Sequence, residues 1–257
     1  MPVITLTTDW GIRDFYAAAL KGALLSANEN FNIVDITHQI DPFDLTKASF
    51  VFKNAFHFFP PKTIHLVAVS SQMDNESSWL IATYKTHKIV CKDDGFLSLV
   101  VSDAFDSVVR VDYSAGLTIT KERELMVSIA SGLTKDISPE SFGPVTTDYK
   151  RSNLFAPVID EAIIKGAVIY VDEFGNVISN ISHNVFEDAR KGRLFEIDAR
   201  KQQYIINSLN NRYEDSDRGE LLALFNSSGL LEISVRHGDA AGLLGLKFGD
   251  TVRVMFK

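Results

Sequence analysis

Hydrophobic and polar positions follow different patterns in the two halves of the chain. In the first half, short β-branched runs predict three buried strands, Val3–Thr7, Ile33–Thr37 and Thr63–Val69. Two segments with helical spacing lie between them, Phe15–Leu25 and Leu45–Phe56. This alternation is typical of an α/β domain, and the uninterrupted apolar character of the third run predicts a central parallel strand.

The rest of this half adds a hairpin and two helices. Leu80–Tyr84 and Lys88–Cys91 predict two antiparallel strands joined by a tight turn. Further helices are expected from Leu97–Val101 and Glu122–Leu133. Asp14 is placed to cap the first helix of the chain.

The second half changes to short β runs with turns between them. These runs are Ala167–Val171, Val177–Ile181, Leu194–Ile197, Gln203–Ile206, Leu221–Phe225, Leu230–Val235 and Thr251–Phe256. Their spacing predicts an all-β domain of the antiparallel, barrel-like kind, and the alternating charges of Glu187–Lys201 predict a solvated face. We therefore expect an α/β N-terminal domain in residues 1–145, a linker in residues 146–165 and a β-barrel-like C-terminal domain in residues 166–257.

The composition narrows the class of protein. The 257 residues carry 26 Lys and Arg against 33 Asp and Glu, a formal net charge of −7. An acidic balance disfavours a broad nucleic-acid surface, which requires clustered basic residues. No apolar run approaches the roughly 20 residues of a membrane-spanning helix, and the start of the chain lacks the pattern of a signal peptide. We expect a cytoplasmic protein with neither a nucleic-acid nor a membrane partner.

Cysteine and histidine usage argues against a metal site. Cys91 is the single cysteine, which excludes an internal disulfide and a multi-cysteine zinc site, and it fits a reducing compartment. His57 and His65 lie eight residues apart across two prolines, without the carboxylate-rich spacing of a ligand set. No metal is therefore expected.

The first candidate for chemistry is the segment after the first strand. Asp9 lies just past the strand end, where a carboxylate can accept hydrogen bonds from two vicinal hydroxyls, as in ribose recognition. The alternative is structural: Asp9 closes a turn and Asp14 caps the helix. Spacing alone favours that alternative.

Two further candidates lie in the β half. Asp172 begins a polar turn in which Phe174 is suited to stack on a base and Asn176 to bond to an adenine or amino-acid edge. Ser227 lies in a small hydroxyl-rich loop suited to a carboxylate. Ordinary hairpin turns are the alternative for both, and they are favoured when each segment is considered alone.

Six segments in order carry a more specific signal. They are TLTTDWGIRDFYAAALKGALL, VDITHQIDPFD, FFPPKTIHLVAV, KDDGFLS, VIYVDEFGNVISNI, and NSSGLLEISV with AAGLLGLKFGD. Together they resemble the S-adenosylmethionine (SAM) hydroxide adenosyltransferase family, which also contains the fluorinases and chlorinases. The resemblance covers nearly the whole chain.

The resemblance implies an α/β domain followed by an antiparallel barrel-like domain. It implies a homotrimer in which SAM lies between the N-domain of one subunit and the C-domain of its neighbour. The reaction of the family displaces methionine from the ribose 5′-carbon by water, hydroxide or a halide. Because a sulfonium is already a good leaving group, the protein must chiefly hold the nucleophile in line and remove its water shell, and SAM is the only small molecule required.

The resemblance also assigns ligand-binding residues. It places Asp9 on the ribose hydroxyls, with Trp10 beside it, and Phe43 near the sugar. In the second half, Asp172 matches the group that meets the methionine amine and Ser227 the position that holds the methionine carboxylate. Phe174 and Asn176 match residues around the adenine. Because these segments match the family together, we expect them to bind a ligand rather than only to form turns and helix caps.

The catalytic positions depart from the family pattern. Members of the hydroxide type share a VDPGVG segment, an arginine after it and an HGRD segment, and their Asp, Arg and His activate the water. Here Ser70 stands in place of the Asp and no arginine follows. Lys121 stands in place of the His, and Arg123 matches the Arg of HGRD. The halogenase pattern is absent as well, because Ser70-Ser71 replaces an aromatic-proline pair.

The matching binding positions and the altered catalytic positions are compatible with four functions. The first is an enzyme that hydrolyses SAM to adenosine and methionine with an altered catalytic motif. The second is a module that binds SAM or adenosine without turnover. The third is substitution by a halide or another anion, with Ser70, Ser71 and Lys121 lining its site. The fourth is a structural or interaction protein with a relict pocket. We rank SAM hydrolysis first.

Overall fold

A computed structural model describes residues 1–69, 78–101, 104–113, 119–152, 156–198 and 204–257, apart from the side chain of residue 119. The chain divides into two compact units, Met1–Leu154 and Phe155–Lys257. This division lies within residues 146–165, the range in which the sequence predicts a linker. The two units are described separately below.

The N-terminal unit contains a six-stranded mixed sheet. Its strands are β1 (Val3–Thr8), β2 (Asn32–Thr37), β3 (Ile64–Ala68), β4 (Trp79–Tyr84), β5 (His87–Lys92) and β6 (Ser107–Arg110). They lie in the order β2-β1-β3-β5-β4-β6. The first four strands of this order are parallel, whereas β4 runs antiparallel to β5 and to β6. The predicted hairpin and the central position of the third strand are thereby confirmed.

Helices cover both faces of this sheet. They are α1 (Tyr16–Ala27), α2 (Leu45–Ala55), α3 (Phe96–Val100) and α4 (Ile119–Leu133). Leu20 of α1 and Met126 of α4 belong to one buried cluster, while Phe52 of α2 and Phe96 of α3 belong to a cluster on the other face. Both clusters include fully buried sheet residues, such as Ile81 in one and Ile89 in the other, because both faces of the sheet are covered.

The strand register aligns the strand ends along one edge of the sheet. Thr8 of β1 pairs with Ala68 of β3, and Leu66 pairs with Val90 of β5, so Ala68 and Lys92 lie two residues beyond that pair. We call the row formed by Thr8, Ala68 and Lys92 the carboxyl edge. Open α/β sheets bind ligands outside the carboxyl ends of their strands, so this edge is the expected location of a site.

The C-terminal unit is an antiparallel, nearly closed barrel-like sheet. Its strands are β7 (Val158–Ile159), β8 (Ile163–Val171), β9 (Val177–Ser182), β10 (Phe195–Asp198), β11 (Ile205–Ile206), β12 (Leu221–Phe225), β13 (Leu230–Val235) and β14 (Thr251–Phe256). The order is β11-β10-β14-β8-β9-β13-β12, with β7 paired to β8. The α/β and all-β classes predicted for the two halves are therefore confirmed.

Two short helices close this barrel. They are α5 (His183–Arg190) and α6 (Ala240–Leu244). Ser182 caps α5 through its hydroxyl, and Asp239 caps α6 by accepting a hydrogen bond from the Gly242 N–H at 2.8 Å. Phe186 of α5 is fully buried in the barrel core, so the side of the helix that carries it faces inward.

Some local predictions were wrong. The first helix is capped by Phe15 rather than Asp14, and no side-chain hydrogen bond supports its start. In the charged stretch Glu187–Lys201, predicted as a solvated face, Glu187, Asp188 and Lys191 are exposed, whereas Phe195 and Ile197 of β10 are buried; residues 199–201 lie outside the described residues. Strands β6 and β7 and helices α5 and α6 were not predicted, because each is too short to establish a clear period.

Candidate functional site

Asp9 lies immediately after β1, at the carboxyl edge. Its Oδ2 accepts a hydrogen bond from the backbone N–H of Phe43 at 3.0 Å. Phe43 belongs to the loop between β2 and α2, so the carboxylate connects two neighbouring strand ends. A carboxylate has about four lone-pair positions, and this bond uses one of them.

The loop that Asp9 holds has a strained backbone. Phe43 has a φ of 68°, a left-handed value that costs a non-glycine residue roughly 1–2 kcal/mol. Asp44 offsets this cost by capping α2 through the Lys47 N–H at 2.8 Å. The Phe43 side chain is 54% exposed. The strain therefore presents an aromatic ring to solvent beside the Asp9 carboxylate.

A chain of polar side chains supports the Asp9 turn from below. The hydroxyl of Thr8 lies 2.8 Å from His38 Nδ1, and His38 Nε2 lies 3.1 Å from Asp35 Oδ1. Lys21 completes the chain at 2.5 Å from Asp35 Oδ2. The Trp10 N–H also donates to the Thr8 hydroxyl, at 3.3 Å. These bonds fix the start of the turn that carries Asp9.

The surroundings of His38 in this row of polar side chains favour its neutral form. Burial lowers the pKa of His38, and the neighbouring Asp35 offsets part of that shift. For Asp35, burial raises the pKa, but its interactions with Lys21 and His38 outweigh that effect, so the pKa is lowered overall. A neutral His38 that donates to Asp35 leaves Nδ1 to accept the Thr8 hydroxyl proton.

In the C-terminal unit, Asp172 organises the turn between β8 and β9. Its Oδ1 accepts hydrogen bonds from the N–H of Phe174 at 2.9 Å and of Asn176 at 2.8 Å, and its Oδ2 accepts from Asn176 Nδ2 at 2.9 Å. Asn176 is buried, whereas Phe174 is 78% exposed. The structure thus brings the three predicted residues into one turn, with the aromatic ring projecting outward.

This turn also packs tightly on the start of α6. Gly175 has a φ of 78°, and a Cβ on it would overlap the Asp239 carboxylate. The Ala241 N–H donates to the Gly175 carbonyl at 2.9 Å. A side chain at position 175 would therefore collide with the cap of α6.

Ser227 lies in the turn between β12 and β13 and is exposed. Asn226, next to it, accepts hydrogen bonds from the Ser228 and Leu230 N–H groups at 3.0 and 3.2 Å. Its Nδ2 donates to Glu232 Oε2 at 3.2 Å. The loop is therefore built by Asn226 and leaves Ser227 at its tip.

The strand register separates this loop from the Asp172 turn. Val177 pairs with Ile233 and Ser182 pairs with Leu230, so the two turns lie at opposite ends of the β9–β13 pair. Five residues of antiparallel strand span about 17 Å. Ser227 and Asp172 are thus placed on the same pair of strands but are not in contact.

Polar residues that the sequence did not single out lie between these turns. Glu232 is buried and accepts hydrogen bonds from the Tyr213 hydroxyl at 2.6 Å and the Ser234 hydroxyl at 2.8 Å. Burial, the Glu232 hydrogen bond and the charges of Glu232 and Asp172 raise the pKa of Tyr213. A glutamate between leucine and isoleucine in a mainly apolar strand was the available signal for this group.

The structure describes two of the three predicted catalytic residues. Lys121 lies exposed in the first turn of α4, and Arg123 is half-buried two residues later. Ser70 falls outside the described residues.

In the part of the chain that the structure describes, no group of three His, Cys, Asp or Glu side chains is arranged to hold a metal ion. Across those same ranges, none of the helices has the length and apolar character needed to cross a bilayer.

Known proteins match this architecture over its whole length. A crystal structure of an uncharacterized conserved protein from Thermotoga maritima has a TM-score of 0.85 at 27% identity, covering 98% of this chain and 99% of that one. A conserved hypothetical protein from Thermus thermophilus has a TM-score of 0.77 at 24% identity, covering 99% and 100%. The latter likeness supports the fold alone.

Several curated relatives of this chain share one enzyme name. A protein from Methanocaldococcus jannaschii called (R)-S-adenosyl-L-methionine hydrolase is 26% identical, covering 100% of this chain and 97% of its own. Proteins of the same name from Salinispora tropica and Thermus thermophilus are 26% and 24% identical, covering 98% and 99% of this chain.

The domain matches follow the two structural units. Residues 4–143 match the SAM hydroxide adenosyltransferase N-terminal domain, and residues 166–253 match the C-terminal domain of the same family. The first range contains Asp9 and the carboxyl edge, and the second contains the Asp172 turn and the Ser227 loop. The chain belongs to the SAM hydroxide adenosyltransferase family.

Proposed function

We propose that this protein hydrolyses SAM, in its (R) form, to adenosine and methionine. The observation that carries the proposal is the full-length similarity to relatives named for that activity. The retained Asp9 and Asp172 turns, one in each matched domain, support it further.

The proposed reaction is an in-line displacement at the ribose 5′-carbon. The water oxygen forms a bond to that carbon while the carbon–sulfur bond breaks, and its electron pair leaves with methionine as a neutral thioether. The water loses one proton to solvent or to a basic group. Orientation and desolvation are the main contributions that a protein can make to such a step.

Each retained residue has a role in binding. Asp9 accepts hydrogen bonds from the two ribose hydroxyls, and Phe43 and Trp10 lie beside it against the sugar. Asp172 meets the methionine amine, Asn176 and Phe174 contact the adenine, and Ser227 meets the methionine carboxylate. Because Asp172 already bonds to Asn176, its charge is oriented before a ligand arrives.

The catalytic part of the site is also a proposal. Lys121 lies in the first turn of α4 and Arg123 directly follows that turn, and their positive charge would favour the deprotonated, hydroxide form of the attacking water. Ser70 completes the set proposed from sequence. No metal enters this scheme, and SAM is its only small-molecule substrate.

We also propose a homotrimer located in the cytoplasm. Exposed aromatic and aliphatic side chains beside the candidate residues of each unit, including Ile12, Phe43 and Phe174, support association between chains. The buried, unpaired thiol of Cys91 is consistent with a reducing compartment.

Incubation of the purified protein with each SAM diastereomer tests the activity. We expect adenosine and methionine to appear from the (R) form faster than from the (S) form, measured by chromatography against a heat-inactivated control. Calorimetric binding without product would favour the binding module instead. A halide-dependent 5′-substituted product would favour substitution by an anion.

The assembly has its own test. Light scattering should give about three times the chain mass of 28.6 kDa. Coexpression of Asp9→Ala with Asn176→Ala chains should then restore activity that neither variant has alone, because some sites would combine two intact halves. A monomer, or the absence of any restored activity, would contradict a shared site.

A further inference from the structure

A buried ion pair lies in the N-terminal unit apart from the residues assigned above. Lys92 Nζ is 2.6 Å from Glu122 Oε1, and the two side chains are only 4% and 7% exposed. Within the described ranges, every other ion pair has at least one side chain that is 32% or more exposed. The Lys92–Glu122 pair is therefore unusual in this molecule.

Its position is the carboxyl edge of the sheet. Lys92 is the last residue of β5, in the row that also contains Thr8, the residue before Asp9. Glu122 lies in the first turn of α4. The pair therefore joins the edge of the sheet to the start of the helix that carries Lys121 and Arg123.

Stability alone does not account for this pair. Removing two charges from water costs several kcal/mol per ion, and apolar residues of similar size often serve as well or better. The apolar alternative was available here, since Val90 on the same strand and Met126 on the same helix are fully buried in the adjoining core. A costly pair at the edge where ligands bind indicates a functional constraint.

A second polar group lies on the neighbouring strand. Trp79 is directly opposite Lys92 in the β4–β5 pair and is 1% exposed. Its indole Nε1 is buried, with no hydrogen-bond partner among the residues that the structure describes. Cross-strand neighbours have Cβ atoms about 5 Å apart, so this edge combines a buried cation, a buried anion and a buried N–H donor.

We propose that Lys92 and Glu122 form a positioning pair for SAM hydrolysis. Lys92 holds Glu122, and Glu122 thereby fixes the backbone of the first turn of α4. Lys121 and Arg123, which flank Glu122, are in this way held in place at the carboxyl edge. The proposal rests on the hydrolase function proposed above, and it assigns the pair an effect on turnover rather than on substrate binding.

The most informative variant replaces both charges with apolar side chains of similar length, Lys92→Met/Glu122→Met. Neither partner is then left as an unpaired buried charge, so the folded state should be retained. We expect kcat for (R)-SAM to fall by about tenfold or more, because small errors in placement slow an oriented reaction. KM should change by less than about twofold, and the melting temperature should stay near that of wild type.

The single variant Glu122→Gln provides a second measurement if the double variant does not fold. Its amide keeps the shape of the side chain but loses the charge, and kcat per folded molecule should again fall by about tenfold with little change in KM. Lys257→Met is the matched control, since Lys257 is paired with Glu196 in the C-terminal unit and is largely exposed. Its turnover should equal that of wild type.

The outcomes separate this proposal from the function on which it rests. A folded double variant that turns over at the wild-type rate would overturn the positioning role and leave the hydrolase function standing. A loss of activity explained entirely by a higher KM, or by a smaller folded fraction, would also overturn it. A wild-type protein that leaves both SAM diastereomers intact would overturn the function, and the positioning role with it.

Discussion

The two candidate clusters use a carboxylate in opposite ways. In the N-terminal unit, Asp9 bonds to the backbone of Phe43, 34 residues away, and its turn is supported by the Thr8–His38 bond between residues 30 positions apart. In the C-terminal unit, Asp172 bonds to partners no more than four residues away. The first cluster therefore exists only when the sheet has formed, whereas the second is a local turn.

This difference predicts whether a substitution mainly affects ligand binding or also affects the stability of the fold. The Asp172 carboxylate accepts three protein hydrogen bonds, so much of its hydrogen-bonding capacity maintains the turn. Asp9 bonds to the Phe43 N–H and lies at the carboxyl edge, where the ribose hydroxyls are proposed to bind. Loss of Asp9 is therefore expected to affect ligand binding most, and loss of Asp172 to affect the fold as well.

The largest expected effect is that of Asp9→Ala. Hydrogen bonds to a charged acceptor contribute about 1.5–3 kcal/mol each, so losing two ribose contacts should lower kcat/KM for SAM by at least about 100-fold. Steady-state kinetics measures this change. Asp14→Ala is the control, because Asp14 is exposed in the same segment and does not cap α1. Equal, small effects of both substitutions would contradict the role of Asp9.

A smaller effect, divided between stability and binding, is expected of Asp172→Ala. Three hydrogen bonds within the turn are lost, which should lower the free energy of unfolding by about 2 kcal/mol. Circular dichroism during urea denaturation is the appropriate measurement, since both tryptophans lie in the N-terminal unit. Glu173→Ala, an exposed neighbour, should leave stability unchanged. If Asp172→Ala were as stable as wild type, the local turn would not depend on that carboxylate.

The same contrast explains what the sequence could predict. The Asp172 turn was recognisable because its partners are close in sequence, and the strand–helix alternation followed from periodicity. The Lys92–Glu122 pair was not recognisable, because each residue lies in an ordinary charged stretch and the pairing depends on how α4 packs against the sheet. The cap predicted at Asp14 failed for a related reason: the residue type was suitable, but the chain enters the helix through Phe15 in a helical conformation.

Buried histidines make a further difference between the units. His65 Nδ1 lies 2.7 Å from the Thr5 hydroxyl, and His65 Nε2 lies 3.1 Å from His87 Nδ1. Burial, with a smaller contribution from His87, lowers the pKa of His65 to about 3. Burial also lowers the pKa of His87. Both residues lie in the N-terminal unit, against Phe56 of the α2 side.

Acid should therefore destabilise the N-terminal unit through His65. Between the ordinary histidine pKa of 6.5 and about 3, the unfolded chain binds a proton at this position that the folded chain does not. This contribution to stability is present above pH 6.5 and decreases by about 1.4 kcal/mol per pH unit as the pH falls. Denaturation followed by tryptophan fluorescence at about pH 6.5, 5.5 and 4.5 measures the slope for the N-terminal unit.

The contribution of His65 is measured as the difference between wild type and His65→Gln in how steeply stability changes with pH. Burial raises the pKa of Asp94 to about 6, which stabilises the folded state in acid and opposes the effect of His65 in both proteins. The stability of His65→Gln should fall less steeply with acid than that of wild type. His57→Gln is the control, because His57 is exposed, and its slope should stay close to that of wild type. Parallel slopes for all three proteins would rule out His65 as the source.

The smallest expected effect is that of Phe174→Ala, which tests whether the outward ring of the Asp172 turn contacts the ligand. The backbone N–H of Phe174, rather than its ring, bonds to Asp172, so the turn should persist and stability should be unchanged. Loss of a stacking contact worth about 1 kcal/mol should weaken SAM binding about fivefold in calorimetry. Phe248→Ala removes another exposed phenylalanine of the same unit and should leave the affinity unchanged. Equal affinities of the two variants would show that the Phe174 ring is not part of the binding site, and the adenine contact in the C-terminal unit would then depend on Asn176 alone.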